Sequence, residues 1–573
     1  MTGSASHVMH PGADGQVIYR CAGPDVEIPD LSLTEHVLGR ARAHGERTAV
    51  VDASSGERLS YRELADQVDT VAGALATLGV RPADPAPGYP ADVAPGHRAD
   101  VVALVSHNQP RYVVALHAAM AAGATVTPAN PALTVGELTT QLRRSGASLV
   151  ISSEQAADST ARAADAAGVT HRVVLGEHPG FVPFGELLAS GATAPPVRLD
   201  PATAVAAMPF SSGTTGTAKG VLLTHRNLVA SLEQNRAGWR LDEHDVAAAA
   251  LPFFHIYGLL IILNSALRAG ATIVTLPRYE LSAYLRMVQQ YGVTRAFFAP
   301  PMVLGLARAD LSGYDLSSIE AGICGAAPLD VAVAERAEVK LGCLIRQGYG
   351  MTEASPGVTQ VADADFATTP AGSVGRLLPN TEARLVDPAS ELDVPVGEPG
   401  ELWVRGPQVM AGYLDDPAAT AATIRPGGWL RTGDVVRIDD DGVYWVVDRI
   451  KELIKYKGYQ VAPAELEALL LTHPRVRDAA VIGIPHTEGG EAPKAFVVLS
   501  ELPGAPGRSE RPGAPEAEAA KERPGAPEAE AAEDLMAWVA ERVAPYKKVR
   551  AVEFVAEIPR SASGKILRRL LRA

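Results

Sequence analysis

Ten consecutive residues, Ser211-Ser212-Gly213-Thr214-Thr215-Gly216-Thr217-Ala218-Lys219-Gly220, combine glycines, hydroxyls and one lysine. Glycines let a loop fold back with its N–H groups pointing inward. Hydroxyls donate hydrogen bonds, and a lysine ammonium is a point charge for phosphate oxygens. This is the inventory of a polyphosphate cradle. It is not the common Gly-x-x-x-x-Gly-Lys-Ser/Thr loop, because Lys219 follows Gly216 at a distance and the hydroxyls precede it. A flexible Ser/Gly/Thr linker has a similar composition. The flanks argue against one: Ala204 to Phe210 is apolar as a strand would be, and Val221-Leu222-Leu223 resumes an apolar pattern at once.

Further polar residues sit in equally suggestive settings. His255 and Tyr257 lie in Leu251-Pro252-Phe253-Phe254-His255-Ile256-Tyr257-Gly258, where a histidine is more often a satisfied core residue. Gln347-Gly348-Tyr349-Gly350-Met351-Thr352-Glu353 reads as a tight turn with an aromatic, a hydroxyl and a carboxylate. A carboxylate beside a nucleotide commonly holds Mg²⁺ through oxygen. Asp434, after Gly433, suits two ribose hydroxyls. The run from Asp448 to Gln460 crowds Arg449, Lys451, Lys455 and Lys457 together, either as a working surface or as a solvated face. Lys565 sits on a glycine-bearing loop, Pro559 to Lys565.

The elements that must carry these residues follow an α/β rhythm. Short apolar runs at 49–51, 101–105, 125–128, 148–151, 173–175, 271–276 and 296–298 alternate with helical patterns such as Tyr61–Leu78 and Tyr112–Ala122. That alternation predicts buried, largely parallel strands. Beyond about residue 375 the runs 383–387, 400–405 and 442–447 predict a smaller β-rich unit, followed after Asp448 by a compact α/β segment. The expected division is 1–448 and 449–573. Residues 501–532 contain a duplicated Glu-Arg-Pro-Gly-Ala-Pro-Glu-Ala-Glu-Ala-Ala motif without apolar periodicity. They read as a disordered or weakly helical surface insertion.

With 573 residues, 47% of them hydrophobic, the chain has ample core for several packing units. A net charge of −14 disfavours a nucleic-acid partner. Three scattered cysteines suit a reducing cytoplasm, and the apolar runs are too short to span a membrane.

Taken together, in this order, the motifs resemble the adenylate-forming superfamily of acyl-CoA synthetases, peptide-synthetase adenylation domains and firefly luciferase. The likeness runs from about residue 33 to the end, and Lys451–Glu467 looks typical of the coumarate-ligase and luciferase branch. The resemblance implies a large multi-subdomain α/β domain and a small mobile α+β lid. It implies ATP, Mg²⁺ and CoA alongside a carboxylic acid, the acid activated as acyl-AMP and passed to CoA. Loading of a carrier protein is an alternative, as is a medium-chain fatty acyl-CoA synthetase.

The resemblance also implies roles. The loop Ser211, Ser212, Gly213, Thr214, Thr215, Gly216 and Lys219 would hold the β- and γ-phosphates. Tyr349 would stack on adenine, with Gly325, Ala326 and Ala327 along the ring and Gln347 and Gly348 nearby. Thr352 would meet the α-phosphate and Glu353 the metal. Asp434 and Arg449 would hold the ribose, and Lys451 would mark the hinge. Lys565 would bridge carboxylate and α-phosphate during adenylation. After a large rotation of the lid, Lys455, Lys457, Gly458 and Gln460, with Arg278, would serve CoA. His255, Tyr257, Ile261, Ile323, Gly325, Ala326, Gly348 and Gly350 would line the acid pocket. No acidic residue lies between Phe254 and Leu267, which disfavours an amino-acid substrate, since a buried ammonium needs a counter-charge. Plant coumarate ligases typically carry lysine where this chain has Ile323, and a small polar residue at Ile261. The expected pocket is therefore more apolar and favours cinnamate-like, aryl or medium-chain acids.

Overall fold

The computed structural model describes residues 7–11, 16–83, 98–211, 218–456, 459–486, 490–500, 526–562 and 564–572. Ser212, Gly213, Thr214, Thr215, Gly216, Lys457 and Gly458 lie outside the described residues. The chain forms two compact units, Met1–Thr432 with Arg437–Trp445, and Gly433–Val436 with Val446–Ala573.

The larger unit is built on two extended sheets. In one, the strands Ile345–Gln347, Ala321–Cys324, Arg295–Phe298, Val246–Ala249, Thr272–Thr275 and Thr48–Asp52 lie side by side and parallel, and Arg58–Ser60 closes one edge antiparallel. These strands are Val-, Ile-, Phe- and Ala-rich without polar alternation, as burial on both faces requires. Because they are parallel, the loops following Ala249, Cys324 and Gln347 leave the same sheet edge. Ligands of open α/β sheets gather at that edge.

The second sheet runs through Val182–Pro183, His171–Val174, Ala147–Ser152, Val101–Val105, Thr125–Ala129, Val205–Ala207, Lys219–Thr224 and Phe210–Ser211. The helices between strands begin at strong caps. Ser60 and Glu63 form a capping box for Tyr61–Thr77, as do Thr134 and Glu137 for Val135–Ser145. A third, antiparallel sheet joins Glu382–Val386, Gly400–Arg405 and Trp429–Ile438, in the region read as β-rich.

Two local expectations need correction, and one element was not anticipated. Ala204 to Phe210 is not one strand: it breaks at Met208–Pro209 into Val205–Ala207 and Phe210–Ser211. Pro209 has no N–H for a ladder. The apolar run after His255 is a π-helix, Tyr257–Asn264, whose Asn264 Nδ2 donates to the Leu259 carbonyl oxygen at 2.7 Å. Lastly, the surface insertion expected to reach 532 does not. A helix, Ala526–Ala540, begins inside the second repeat, and Ala531 is buried.

The smaller unit packs Ile454–Tyr456, Tyr459–Val461, Val476–His486, Gly490–Leu499 and Ala551–Phe554 into one sheet. Its core joins Ile454, Val461, Leu466, Leu470, Val481 and Val497 to Leu535 and Val539 of the Ala526–Ala540 helix.

Candidate active site

In the larger unit the phosphate-loop candidate hangs on a hairpin. Phe210 pairs with Gly220 and Ser211 with Lys219 in antiparallel register, so both ends of the loop are anchored. Arg144, at the C-terminal end of the Val135–Ser145 helix, donates to the Ala218 carbonyl oxygen at 2.5 Å and lies over the Phe210 ring.

Glu353 reaches the same place from the opposite sheet. It sits in a short 3₁₀ turn, Thr352–Ala354, and only 8% of it is exposed. Its Oε1 accepts from Ser211 Oγ at 3.3 Å and from the Tyr413 hydroxyl at 3.0 Å. Oε2 has no partner among the described residues. Lys219 is half-buried, with Nζ 4.9 Å above the Tyr413 ring and 4.0 Å from Asp416 Oδ2. The fold thus brings Ser211, Lys219 and Glu353 to one point. Tyr413 and Asp416, which join them, escaped the sequence reading, since nothing in their local sequence suggests chemistry.

The nucleotide-base candidates surround the ends of two parallel strands. Ala326 is exposed and left-handed, with φ +74°. Gln347 is buried, and its amide spans Leu329: Oε1 accepts from the Leu329 N–H at 2.8 Å and Nε2 donates to the Leu329 carbonyl oxygen at 3.3 Å. Its side chain therefore shapes the 325–329 loop and is not free for a ligand. The Gly348 N–H donates to the Cys324 carbonyl oxygen at 3.1 Å. Tyr349 is half-buried in a short strand opposite Thr359. Gly350 must be glycine, because a Cβ there would lie 2.1 Å from the Pro356 carbonyl oxygen. Thr352 is half-buried at the start of the 3₁₀ turn.

His255 follows the Val246–Ala249 strand. Burial pushes its imidazole down to about 4, so it is neutral near pH 7. Its Nδ1 accepts from the Tyr257 N–H at 3.3 Å. The loop that carries it is strapped by Asn108, also missed from sequence. Asn108 Nδ2 donates to the carbonyl oxygens of Ala249 and Leu251, and Oδ1 accepts from the Phe253 N–H at 2.8 Å. Ile261 and Ile323 are both buried, at 3% and 6% exposure, and Arg278 is exposed.

In the smaller unit Arg449 Nε lies 3.2 Å from Asp434 Oδ1, so the two ribose candidates are brought together. Lys451 is exposed in a turn and Lys455 is exposed on Ile454–Tyr456, in register with Gln460. Lys565 is half-buried on a closed turn. Its N–H donates to Ser561 Oγ at 3.1 Å, and its carbonyl oxygen accepts from the Ser561 N–H at 2.8 Å. Arg568, one turn on, forks onto Glu467 at 2.7 and 2.9 Å and reaches Glu452 at 2.8 Å.

No helix among the described residues is long and apolar enough to cross a membrane. Residues 38–414 match the family model described as AMP-binding enzyme, and residues 465–565 match that of the AMP-binding enzyme C-terminal domain. The chain is 38% identical to 4-coumarate--CoA ligase 5 of Oryza sativa subsp. japonica, over 97% of both chains. Its fold matches a benzoate CoA ligase from Burkholderia xenovorans LB400 with a TM-score of 0.78 at 27% identity, covering 95% of this chain and 100% of that one. The fold is also that of the anthranilate CoA ligase AuaEII, with a TM-score of 0.81 at 24% identity over 96% and 97% of the two chains.

Proposed function

The chain belongs to the AMP-binding enzyme family, and on that premise we propose that it is an AMP-forming acid–thiol ligase of the 4-coumarate/cinnamate type. The observation that carries the reading is 38% identity to a 4-coumarate--CoA ligase over 97% of both chains, combined with the meeting of Ser211, Lys219 and Glu353. ATP, CoA and a carboxylic acid are its substrates.

In the first step a carboxylate oxygen attacks the α-phosphorus of ATP and pyrophosphate leaves. In the second the CoA sulfur attacks the acyl carbonyl carbon and AMP leaves, the thiol proton passing to solvent. Lys219 and the loop it closes bind the β- and γ-phosphates. Asp434 accepts the ribose hydroxyls, oriented by Arg449. Lys565 bears on the carboxylate and α-phosphate during adenylation, and Lys455, Lys457, Gly458 and Gln460 serve the thiol step. In this reading 1–448 is the nucleotide- and acid-binding domain and 449–573 the lid. The buried carboxylate of Glu353, with one oxygen unpartnered among the described residues, fits a magnesium ion. Glu353 would hold it, and it would supply charge neutralisation to the phosphates.

His255, Tyr257, Ile261 and Ile323 form the acid pocket in this proposal. The buried hydrocarbon of Ile261 and Ile323 favours cinnamate or an alkyl acid of similar length over a hydroxylated ring. Leaving a phenol hydroxyl unpaired in such a site costs about 1–3 kcal/mol, roughly one to two decades in kcat/KM. With only three cysteines, all free, we place the reaction in the cytoplasm.

The test is CoA-dependent AMP release with cinnamate, 4-coumarate, caffeate, benzoate and C4–C12 fatty acids. Turnover of cinnamate at least equal to that of 4-coumarate, with caffeate slower, is expected. A tenfold preference for 4-coumarate overturns the pocket assignment. Turnover only with a phosphopantetheine carrier protein overturns CoA as acceptor.

A further inference from the structure

A lysine and a glutamate held near one another in a half-buried site have a default arrangement, which is to pair. Pairing would consume both, neutralising the cation needed for phosphate and the anion needed for metal. Lys219 and Glu353 reach the same site without doing so, and Tyr413 stands between them. Its hydroxyl donates to Glu353 Oε1 at 3.0 Å while its ring face carries Lys219 Nζ at 4.9 Å. One side chain thus engages the acid through its polar edge and the base through its π-face.

The backbone makes this arrangement a consequence of strand pairing. Gly412–Tyr413 is a short strand laid antiparallel on Lys219–Thr224, with Tyr413 directly opposite Val221 and Gly412 opposite Leu222. The ladder extends on both sides, through the Ala411 N–H to the Leu222 carbonyl oxygen at 2.9 Å and the Leu414 N–H to the Gly220 carbonyl oxygen at 2.8 Å. Lys219 and Val221 are two residues apart and share a face of their strand. A side chain opposite Val221 is therefore a diagonal neighbour of Lys219, within reach of a long cation. Behind Tyr413, its own N–H donates to Thr420 Oγ1 at 2.9 Å, which ties its backbone to the helix Pro417–Thr423. Asp416 caps that helix with Oδ1 on the Ala419 N–H and turns Oδ2 toward Lys219 at 4.0 Å. Lys219 thus has a resting place that is not Glu353.

We propose that Tyr413 is a positioning residue that keeps Glu353 and Lys219 apart and oriented. Glu353 then remains available to a divalent cation and Lys219 to a phosphate. The proposal rests on the AMP-forming reading above and assigns that site a residue it did not include. It demands a hydroxyl for Glu353 and an aromatic face for Lys219, two requirements that can be removed one at a time.

Tyr413→Phe keeps the ring and loses the hydroxyl; Tyr413→Leu loses both. Three measurements on the full chain separate the roles. Calorimetry of ATP binding with Mg²⁺ varied reads the site without turnover. ATP–pyrophosphate exchange reads adenylation. Conversion of pre-made cinnamoyl-AMP and CoA to thioester reads the second step, with the thermal midpoint as a control. For Tyr413→Phe, the Mg²⁺ concentration that half-saturates ATP binding should rise about tenfold, the loss of one hydrogen bond to a charged group. Exchange should fall in parallel, with thioester formation and thermal midpoint nearly unchanged. Tyr413→Leu should add a further several-fold loss in ATP affinity at saturating Mg²⁺, from the ring beneath Lys219. A Tyr413→Phe variant with Mg²⁺ dependence within twofold of the parent overturns the proposal. So does equal loss of both half-reactions with a lowered midpoint, which would make Tyr413 purely structural. An unmodified protein that binds no ATP overturns the AMP-forming reading itself, a result distinct from either.

Discussion

The Tyr257 hydroxyl donates to the carbonyl oxygen of Ile323 at 3.2 Å, joining the first residue of the π-helix to the sheet strand Ala321–Cys324. The ring lies beside Gly325, where a Cβ would sit 3.3 Å from Tyr257 Cε1, and meets Phe297 edge-on. The phenol proton is therefore committed to the protein. Burial holds the hydroxyl well above its ordinary pKa, so it stays protonated throughout the working range. Tyr257→Phe should cost about 1 kcal/mol of stability, the net value of one hydrogen bond. The ratio of kcat/KM for cinnamate to that for 4-coumarate should stay within twofold. A variant that shifts this ratio tenfold would show that Tyr257 addresses the substrate ring.

Ala326 stores strain of a kind that clusters at ligand sites. Its φ of +74° is the left-handed region, and its methyl is exposed, so nothing is gained by packing. Glycine relieves the strain but adds freedom to the unfolded chain. Ala326→Gly should therefore raise unfolding free energy by about 1 kcal/mol or less. If the strained turn pre-forms the adenine surface, KM for ATP should rise at the same time. Urea unfolding and ATP titration of the variant decide both points, and a fall in stability would mean the methyl is held by a contact.

The parallel strands could be read in the sequence because strands buried on both faces carry continuous apolar runs, as in Val101–Val105 and in Ala296-Phe297-Phe298 of the strand Arg295–Phe298. The site residues that share a motif could be read for a similar reason: chemistry concentrates them, as at Ser211–Gly220 and Gln347–Glu353. Tyr413 and Asn108 could not. Each acts on a loop far away in the chain through one strand pairing or one set of backbone bonds, and a lone Tyr or Asn carries no periodicity. The Ala526–Ala540 helix was masked for a different reason. Its first turn is written in the Ala/Glu-rich repeat, and the apolar residues that bury it, Leu535 and Val539, come later.

Lys565 should divide the two half-reactions. Its turn is closed by the Ser561 and Gly564 backbone bonds and by Arg560, whose Nη1 donates to the Gly564 carbonyl oxygen at 3.0 Å. Truncating the side chain leaves those bonds in place. Lys565→Ala should lower ATP–pyrophosphate exchange by about 10²–10³, the usual cost of removing one charge-stabilising group from a transition state. Thioester formation from pre-made acyl-AMP should persist. Equal loss of both steps would argue against one site used in two conformations.

Acid should act on the two units with opposite sign. In the larger unit His117, His225 and His255 are held neutral by burial, pushed down to about 3, 4 and 4. An unfolded histidine binds its proton near 6.5, so between there and about 4 the unfolded state carries more protons. Stability from these groups is complete above 6.5 and is lost as pH falls. In the smaller unit burial raises Asp448 to about 6 and Glu467 to about 7, against the pull of Arg568 and of backbone N–H donors. Arg568 pairs with Glu452 and Glu467, while Asp448 accepts from the Arg449 and Ala464 N–H groups, and the two raised acids retain protons that the unfolded chain has released. Their contribution is complete below about 4 and is lost as pH rises through 6 to 7. Each group changes stability by about 1.4 kcal/mol per pH unit where the two states differ by a full proton. Hydrogen exchange resolved by peptide, corrected for intrinsic rates, should show protection of Pro110–Ala121 and His225–Arg236 falling from pH 7 to pH 5. Protection of Val476–His486 should rise over the same interval. Asp448→Asn should weaken the second trend, with the Glu467 part remaining, and leave the first intact; parallel trends in both units would contradict the assignment of these protons.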